Sequence, residues 1–107
     1  MKKIAIFTFL LTPQLSLAQS VVGGVVVADH YTCNTYDRIV IETRRGYTNA
    51  QVYLGYDYTL EGNVIYGELH SYGFTDIYKE SGRKVGRLYI DDYMASESSA
   101  VEWCSEE

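Results

Sequence analysis

Apolar and polar residues alternate with a period of two along most of this chain. Over residues 37–43, Ile39 and Ile41 fall on one side and Arg38 and Glu42 on the other, with Val40 on the polar side. Over 85–91, Gly86, Leu88 and Ile90 share a side opposite Arg87 and Tyr89. The stretch 47–58 predicts a long strand, or one bent at Gly55, with Ala50, Val52, Leu54, Tyr56 and Tyr58 on one face. Shorter strands are predicted over 64–69, where Ile65 and Leu69 flank Gly67, and over 74–78. The run 21–31 is strand-like but holds Gly23 and Gly24, which suggests a bulge or a joint ahead of the first strand.

Turn signals separate these runs. They fall at Arg44-Arg45-Gly46, Glu61-Gly62-Asn63, Ser71-Tyr72-Gly73 and Glu80-Ser81-Gly82-Arg83, the last reading as a hairpin. Residues 94–99 read as a helical turn or a solvated loop, ahead of a last strand over 100–104. Six or seven short strands with short connections predict an all-β, antiparallel meander. It either closes into a small barrel or folds over as a sandwich.

The first eighteen residues stand apart from this pattern. Lys2 and Lys3 precede an apolar run over 4–11, and Ser16-Leu17-Ala18 supplies small residues for a signal peptidase. The run is shorter than the roughly twenty residues a membrane-spanning helix needs. The expectation is a leader over 1–18, a single domain over 19–107, and a periplasmic or secreted product with no membrane span. Removing eighteen of the 107 residues leaves 89. It also removes Lys2 and Lys3, leaving seven bases against fourteen acids, a net charge of −7.

Cys33 and Cys104 are the only cysteines, and in an exported chain they are expected to form a disulfide. Closing a loop of about 70 residues constrains the unfolded chain by roughly 4 kcal/mol. That is a large share of the stability of a small domain.

Charge and composition narrow the function classes. An acidic domain repels phosphate backbones, so nucleic acid is a poor partner and a cationic protein a better one. His30 and His70 lie far apart in sequence, and no spacing of His, Cys, Asp or Glu resembles a metal site. No cofactor motif is present. Asp91 and Asp92 point to opposite faces if extended, so they do not form the facing pair of a glycosidase; Glu42 and Glu68 are a candidate facing pair that only the fold can place. The expectation is a binding protein and not an enzyme, a small carboxylate-pair enzyme being the alternative.

Two surfaces are candidates. The hairpin residues Ser81, Gly82 and Arg83, with Arg87 and Tyr89 beyond them, form the most distinctive polar element for a protein partner. Eleven tyrosines are the other signal. Tyr53, Tyr56, Tyr58, Tyr66 and Tyr72, with Tyr78, either make a stacking face for a glycan or small ligand, or fill the core in place of Phe and Leu.

In outline the chain resembles the small periplasmic inhibitors of c-type lysozyme, exported β-barrels whose opening Tyr-x-Cys is bridged to a cysteine near the C-terminus. Tyr31-Thr32-Cys33 and Cys104 match that layout. Ser81-Gly82-Arg83, followed by Gly86-Arg87-Leu88-Tyr89, is the nearest match to the segment the family presents to the enzyme cleft. The chain departs from the family in carrying Lys at position 79 in place of Ser, in placing Tyr89 further from Gly82, and in lacking the later aromatic-x-Lys-Gly element. The resemblance implies inhibition of a cationic cell-wall hydrolase, with Ser81, Arg83 and Tyr89 as contacts.

Overall fold

The protein is described by a computed structural model that covers residues 20–106. The leader expected over 1–18 lies outside the described residues. The chain forms strands β1 (Val22–Ala28), β2 (Arg38–Thr43), β3 (Gly46–Leu54), β4 (Val64–Gly67), β5 (Gly73–Tyr78) and β6 (Lys84–Ala95), then helix α1 (Glu97–Ser105). A 3-10 turn at Tyr56–Tyr58 lies between β3 and β4.

All neighbours are antiparallel, in the order β1-β2-β3-β6-β5-β4, and β4 pairs back with β1 to close a barrel. Two three-stranded meanders therefore meet along two seams, β3 with β6 and β1 with β4. This is the all-β fold that the alternation predicts, and it is the barrel and not the sandwich. Antiparallel reversal gives the barrel two ends. One carries loops 29–37, 55–63 and 79–83, and is called here the hairpin end. The opposite end carries turn 44–45, loop 68–72 and the approach to β1.

The inward positions are small or aliphatic. Val26, Ile39, Ile41, Ala50, Val52, Ile65, Leu69, Ile77, Leu88 and Ile90 form one buried cluster. A barrel this narrow has little room at its lining, so glycines sit where side chains would collide. A Cβ at Gly24 would run into Ile41, and one at Gly86 into the Leu54 carbonyl. Gly23 and Gly24 thus belong to an unbroken stretch of β1 paired with β4, and the bulge falls later, between Val26 and Ala28. Burial of aliphatic groups removes about 25 cal/mol per Å² of apolar area from water, and this cluster is where that gain concentrates.

Two sequence expectations fail for local reasons. Strand β3 stops at Leu54 because Gly55 turns left-handed (φ 94°) and packs against Val85 and Gly86. Tyr56 and Tyr58 consequently leave the strand face and enter the 3-10 turn. The segment 100–104 is helix and not strand. Met94 takes a positive φ of 54°, ending β6 shortly afterwards, and the Ser96 hydroxyl caps the next helix by accepting the Ser99 N–H at 3.2 Å.

Helix α1 covers the outer face of β2 and β3. This explains why Val40, on the polar side of its strand, is buried together with Asn49 and Ala100. The helix C-terminus leaves carbonyls unpaired within the helix, and loop 29–37 with the start of β2 receives them. The Asn34 N–H donates to the Cys104 carbonyl (2.8 Å), the Asn34 side-chain amide to Ser105 (2.6 Å) and the Thr35 hydroxyl to Glu106 (2.9 Å). Arg38 donates to the Trp103 carbonyl at 2.8 Å while its guanidinium lies 4.0 Å from the indole centroid. The Cys33–Cys104 disulfide locks the same seam across a sequence separation of 71. A disulfide is the mark of an oxidising compartment.

Removing the bridge as Cys33→Ala/Cys104→Ala is expected to cost about 4 kcal/mol in urea unfolding, and to speed amide exchange in α1 more than in β6. Gly86→Ala, which presses a methyl onto the Leu54 carbonyl, is expected to cost about 1–3 kcal/mol, read by the same unfolding curve.

Candidate functional site

The hairpin end is assembled around one buried carboxylate. Asp29 accepts the Tyr31 N–H (2.8 Å) on Oδ1 and the Glu61 N–H (2.7 Å) on Oδ2, joining loop 29–37 to loop 55–63. Its own N–H donates to the Thr32 hydroxyl at 2.8 Å, and its carbonyl accepts the Cys33 N–H at 2.8 Å. The last bond fixes Cys33 for its bridge, so one residue connects the disulfide seam to the hairpin end of the barrel.

The β5–β6 hairpin rises beside these loops. Its turn is closed by the Gly82 N–H donating to the Lys79 carbonyl (2.8 Å) and the Lys79 N–H to the Arg83 carbonyl (2.9 Å). Gly82 has φ 92°, a left-handed geometry that glycine adopts without penalty in a three-residue hairpin loop. Ser81, Gly82 and Arg83 are all exposed at the tip. Arg83 is held by donating to the Tyr58 hydroxyl at 2.9 Å, with its guanidinium 5.7 Å from that ring. Lys79 lies 5.8 Å from the same ring, so Tyr58 supports two cations from below the turn.

Arg87 and Tyr89 sit further down β6, on the outer face. Arg87 lies 4.8 Å from the centroid of Phe74, and Phe74 meets both Tyr53 and Tyr89 edge to face at 4.9 Å. Register explains the ladder: Phe74 on β5 is opposite Tyr89 on β6, and Tyr89 is opposite Gln51 on β3, two residues from Tyr53. Tyr53 and Phe74 are exposed. The five residues expected to contact a partner thus fall in two neighbouring groups, Ser81-Gly82-Arg83 at the tip and Arg87-Tyr89 on the sheet.

The tyrosines do not form one face. Tyr58 joins the hairpin and Tyr53 the ladder. Tyr56 stacks with His30 and Tyr36 at ring separations of 5.5 and 5.3 Å, beside exposed Tyr31. Tyr66 lies over Gly23, opposite Tyr78. Tyr72 stands at the opposite end, 4.8 Å from Tyr93. None of the eleven is fully buried, but Tyr56 and Tyr93 pack against the aliphatic core from its margin, so packing accounts for part of the set. Phe74, which links Tyr53 to Tyr89, carries no signal in the sequence beyond alternation; only strand order places it.

Electrostatics set the ends apart. Burial, then Asp37, then Tyr36 hold the Tyr56 phenol above the ordinary tyrosine range. At the opposite end, burial and then the Arg45 guanidinium push His70 below the usual histidine value. Asp91 accepts from the Gln51 amide on neighbouring β3 at 3.4 Å, and Asp92 accepts the Tyr93 N–H within β6 at 2.9 Å, so the two carboxylates have separate partners. Among the described residues no three His, Cys, Asp or Glu side chains converge as metal ligands. None of the described helices is long and apolar enough to cross a membrane.

Asp29→Ala would leave the Tyr31 and Glu61 N–H groups without their acceptor and is expected to cost about 1–3 kcal/mol, with faster amide exchange at those two positions. His70 gives a pH signature. Its folded pKa lies below the unfolded value near 6.5, so the unfolded chain takes up the proton first as the pH falls. Stability therefore declines from about pH 6.5 down to the folded pKa, and His70→Gln is expected to flatten that slope in urea titrations. No family model, curated protein or solved structure matches this chain, and its surface must be read from its own chemistry.

Proposed function

We propose that this chain is an exported binding protein that presents the β5–β6 hairpin to the acidic cleft of a cationic hydrolase, inhibition of a cell-wall lysozyme being the sharpest form of that reading. The observation that carries it is the hairpin tip. Ser81, Gly82 and Arg83 project on a turn closed by two backbone hydrogen bonds, with Arg83 held on Tyr58 at 2.9 Å. Pre-ordering of this kind lowers the entropy lost on binding. A glycosidase cleft holds two carboxylates, and a guanidinium fork is the side chain that best matches a carboxylate.

Charge works at two ranges here. The chain as a whole is acidic, and the segment 91–107 carries six acids and no base, which favours encounter with a basic enzyme. The tip itself carries Lys79, Arg83 and Lys84, and only Lys84 is neutralised within the described residues by an ion pair, to Asp76 at 3.3 Å. The resemblance in outline to lysozyme inhibitors, through Tyr31-Thr32-Cys33 and Ser81-Gly82-Arg83, agrees with this reading.

A second reading rests on the ladder Tyr53–Phe74–Tyr89. Tyr53 and Phe74 are exposed rings on a strand face, with Tyr89 half-buried beside them and the Arg87 guanidinium over Phe74. These side chains suit stacking on a sugar ring and donating to its hydroxyls. The two readings separate cleanly by mutation.

Purified protein is expected to inhibit at least one of the c-, g- and i-type lysozymes at micromolar concentration, more weakly as salt is raised. Arg83→Glu should weaken that inhibition about tenfold or more, and Phe74→Ala, which acts only through Arg87 and Tyr89, should weaken it far less. Absence of inhibition of all three enzymes would remove the inhibitor reading. Retention of cell-wall fragments on a glycan array, lost in Phe74→Ala, would establish the other.

A further inference from the structure

The end of the barrel opposite the hairpin holds a cleft of a different character. Arg44 and Arg45 from the β2–β3 turn, His70 and Ser71 from the β4–β5 loop, and Ser20, Val21, Val22 and Gly23 surround about 560 Å³. That volume lies in the ordinary range of small-ligand sites, roughly 300–1,000 Å³. No carboxylate lines it. Among the described residues the ion pairs are Arg38 with Glu106 and Lys84 with Asp76, so neither Arg44 nor Arg45 is neutralised by one. Two unpaired guanidinium groups facing one cleft, in a chain with nine bases against fourteen acids, are a local reversal of the molecule's charge.

The cleft is also pre-ordered. Thr43 Oγ1 donates to the Gly46 carbonyl at 3.1 Å, which uses its one proton. The same oxygen accepts the Arg45 N–H at 3.2 Å and lies 2.9 Å from His70 Nε2. In the protonated imidazolium both ring nitrogens are donors, so Nε2 donates to Thr43 and the Nδ1 proton is left for a ligand. One threonine thus ties the arginine turn to the histidine loop and holds the imidazole by its Nε2 edge.

From this arrangement we infer that the cleft binds the oxyanion group of a small ligand, a phosphate or a carboxylate, with Arg44 and Arg45 as charged donors and His70 as a third donor through Nδ1. Guanidinium forks match oxyanions geometrically, and an anion beside His70 favours its protonated form. Binding is accordingly coupled to proton uptake. The charged or titratable groups facing His70 are Arg44 and Arg45 on the turn and Tyr93 on β6, whose ring lies 6.3 Å away. Val21 and Val22 give the cleft an apolar wall for the body of the ligand. The site is independent of the hairpin end, so failure at either leaves the other standing.

The test is an NMR titration of the two histidine rings in the purified protein, with inorganic phosphate and, separately, acetate. His70 resonances are expected to shift saturably with one or both anions, with Kd of about 1 mM or tighter, and its pKa to rise when the anion is present. His30 should not move. Arg44→Gln/Arg45→Gln should abolish the effect while preserving the His30 resonances and the circular dichroism of the native sheet. Saturation by phosphate alone or acetate alone identifies the oxyanion class. Absence of a saturable His70 shift overturns the inference, as does an equal shift in the double variant. So does binding confined to phosphatidylglycerol vesicles, which would mark a lipid-surface contact instead.

Discussion

The whole molecule depends on the seam where the chain's last helix meets the loop after its first strand. Within a few residues this seam gathers the Cys33–Cys104 bond, carbonyl acceptors at the end of α1, and Arg38 stacked on Trp103. Each contact joins residues more than sixty positions apart, so each must offset the entropy of closing almost the entire domain. The covalent bond meets that cost in the unfolded state, and the polar contacts then fix the orientation of the helix. Asp29 passes this order onward, because the residue that binds the Cys33 N–H also binds the loop bearing Tyr58's turn.

What the sequence made legible follows from how local each determinant is. Ile39, Ile41, Leu88 and Ile90 are inward by simple alternation, which needs only neighbours along one strand. The hairpin was equally plain, since Gly82 supplies the left-handed turn its geometry demands. Val40 was not, because its burial comes from a helix sixty residues later. That helix was itself hidden: Trp103 and Cys104 suit a strand, and only the Ser96 cap and the break at Met94 argue for a helix. The tyrosine face dissolved for a related reason. Tyr56 and Tyr58 share a parity with Val52, but Gly55 ends the strand before parity can act. The cluster at Arg44, Arg45 and His70 joins two loops whose proximity is a matter of strand order alone.

The barrel separates two chemistries along its axis. At one end, cations stand on an aromatic support at a projecting turn. At the other, cations line a concavity beside the His70 imidazole. The rigid aliphatic interior between them gives neither end a soft path to the other, so the two surfaces are structurally separate.

The pairing order has a consequence for how the chain reaches this shape. Each half, β1-β2-β3 and β4-β5-β6, is a meander of sequence-adjacent hairpins whose contacts form with short loop closures. The two joints between the halves are long-range and come late. That layout favours pairing within each half before the halves dock, and a chain at that point has two pairs of unsatisfied strand edges. Quality control in an oxidising compartment would meet the chain at that stage, before the sulfur bridge has closed over it.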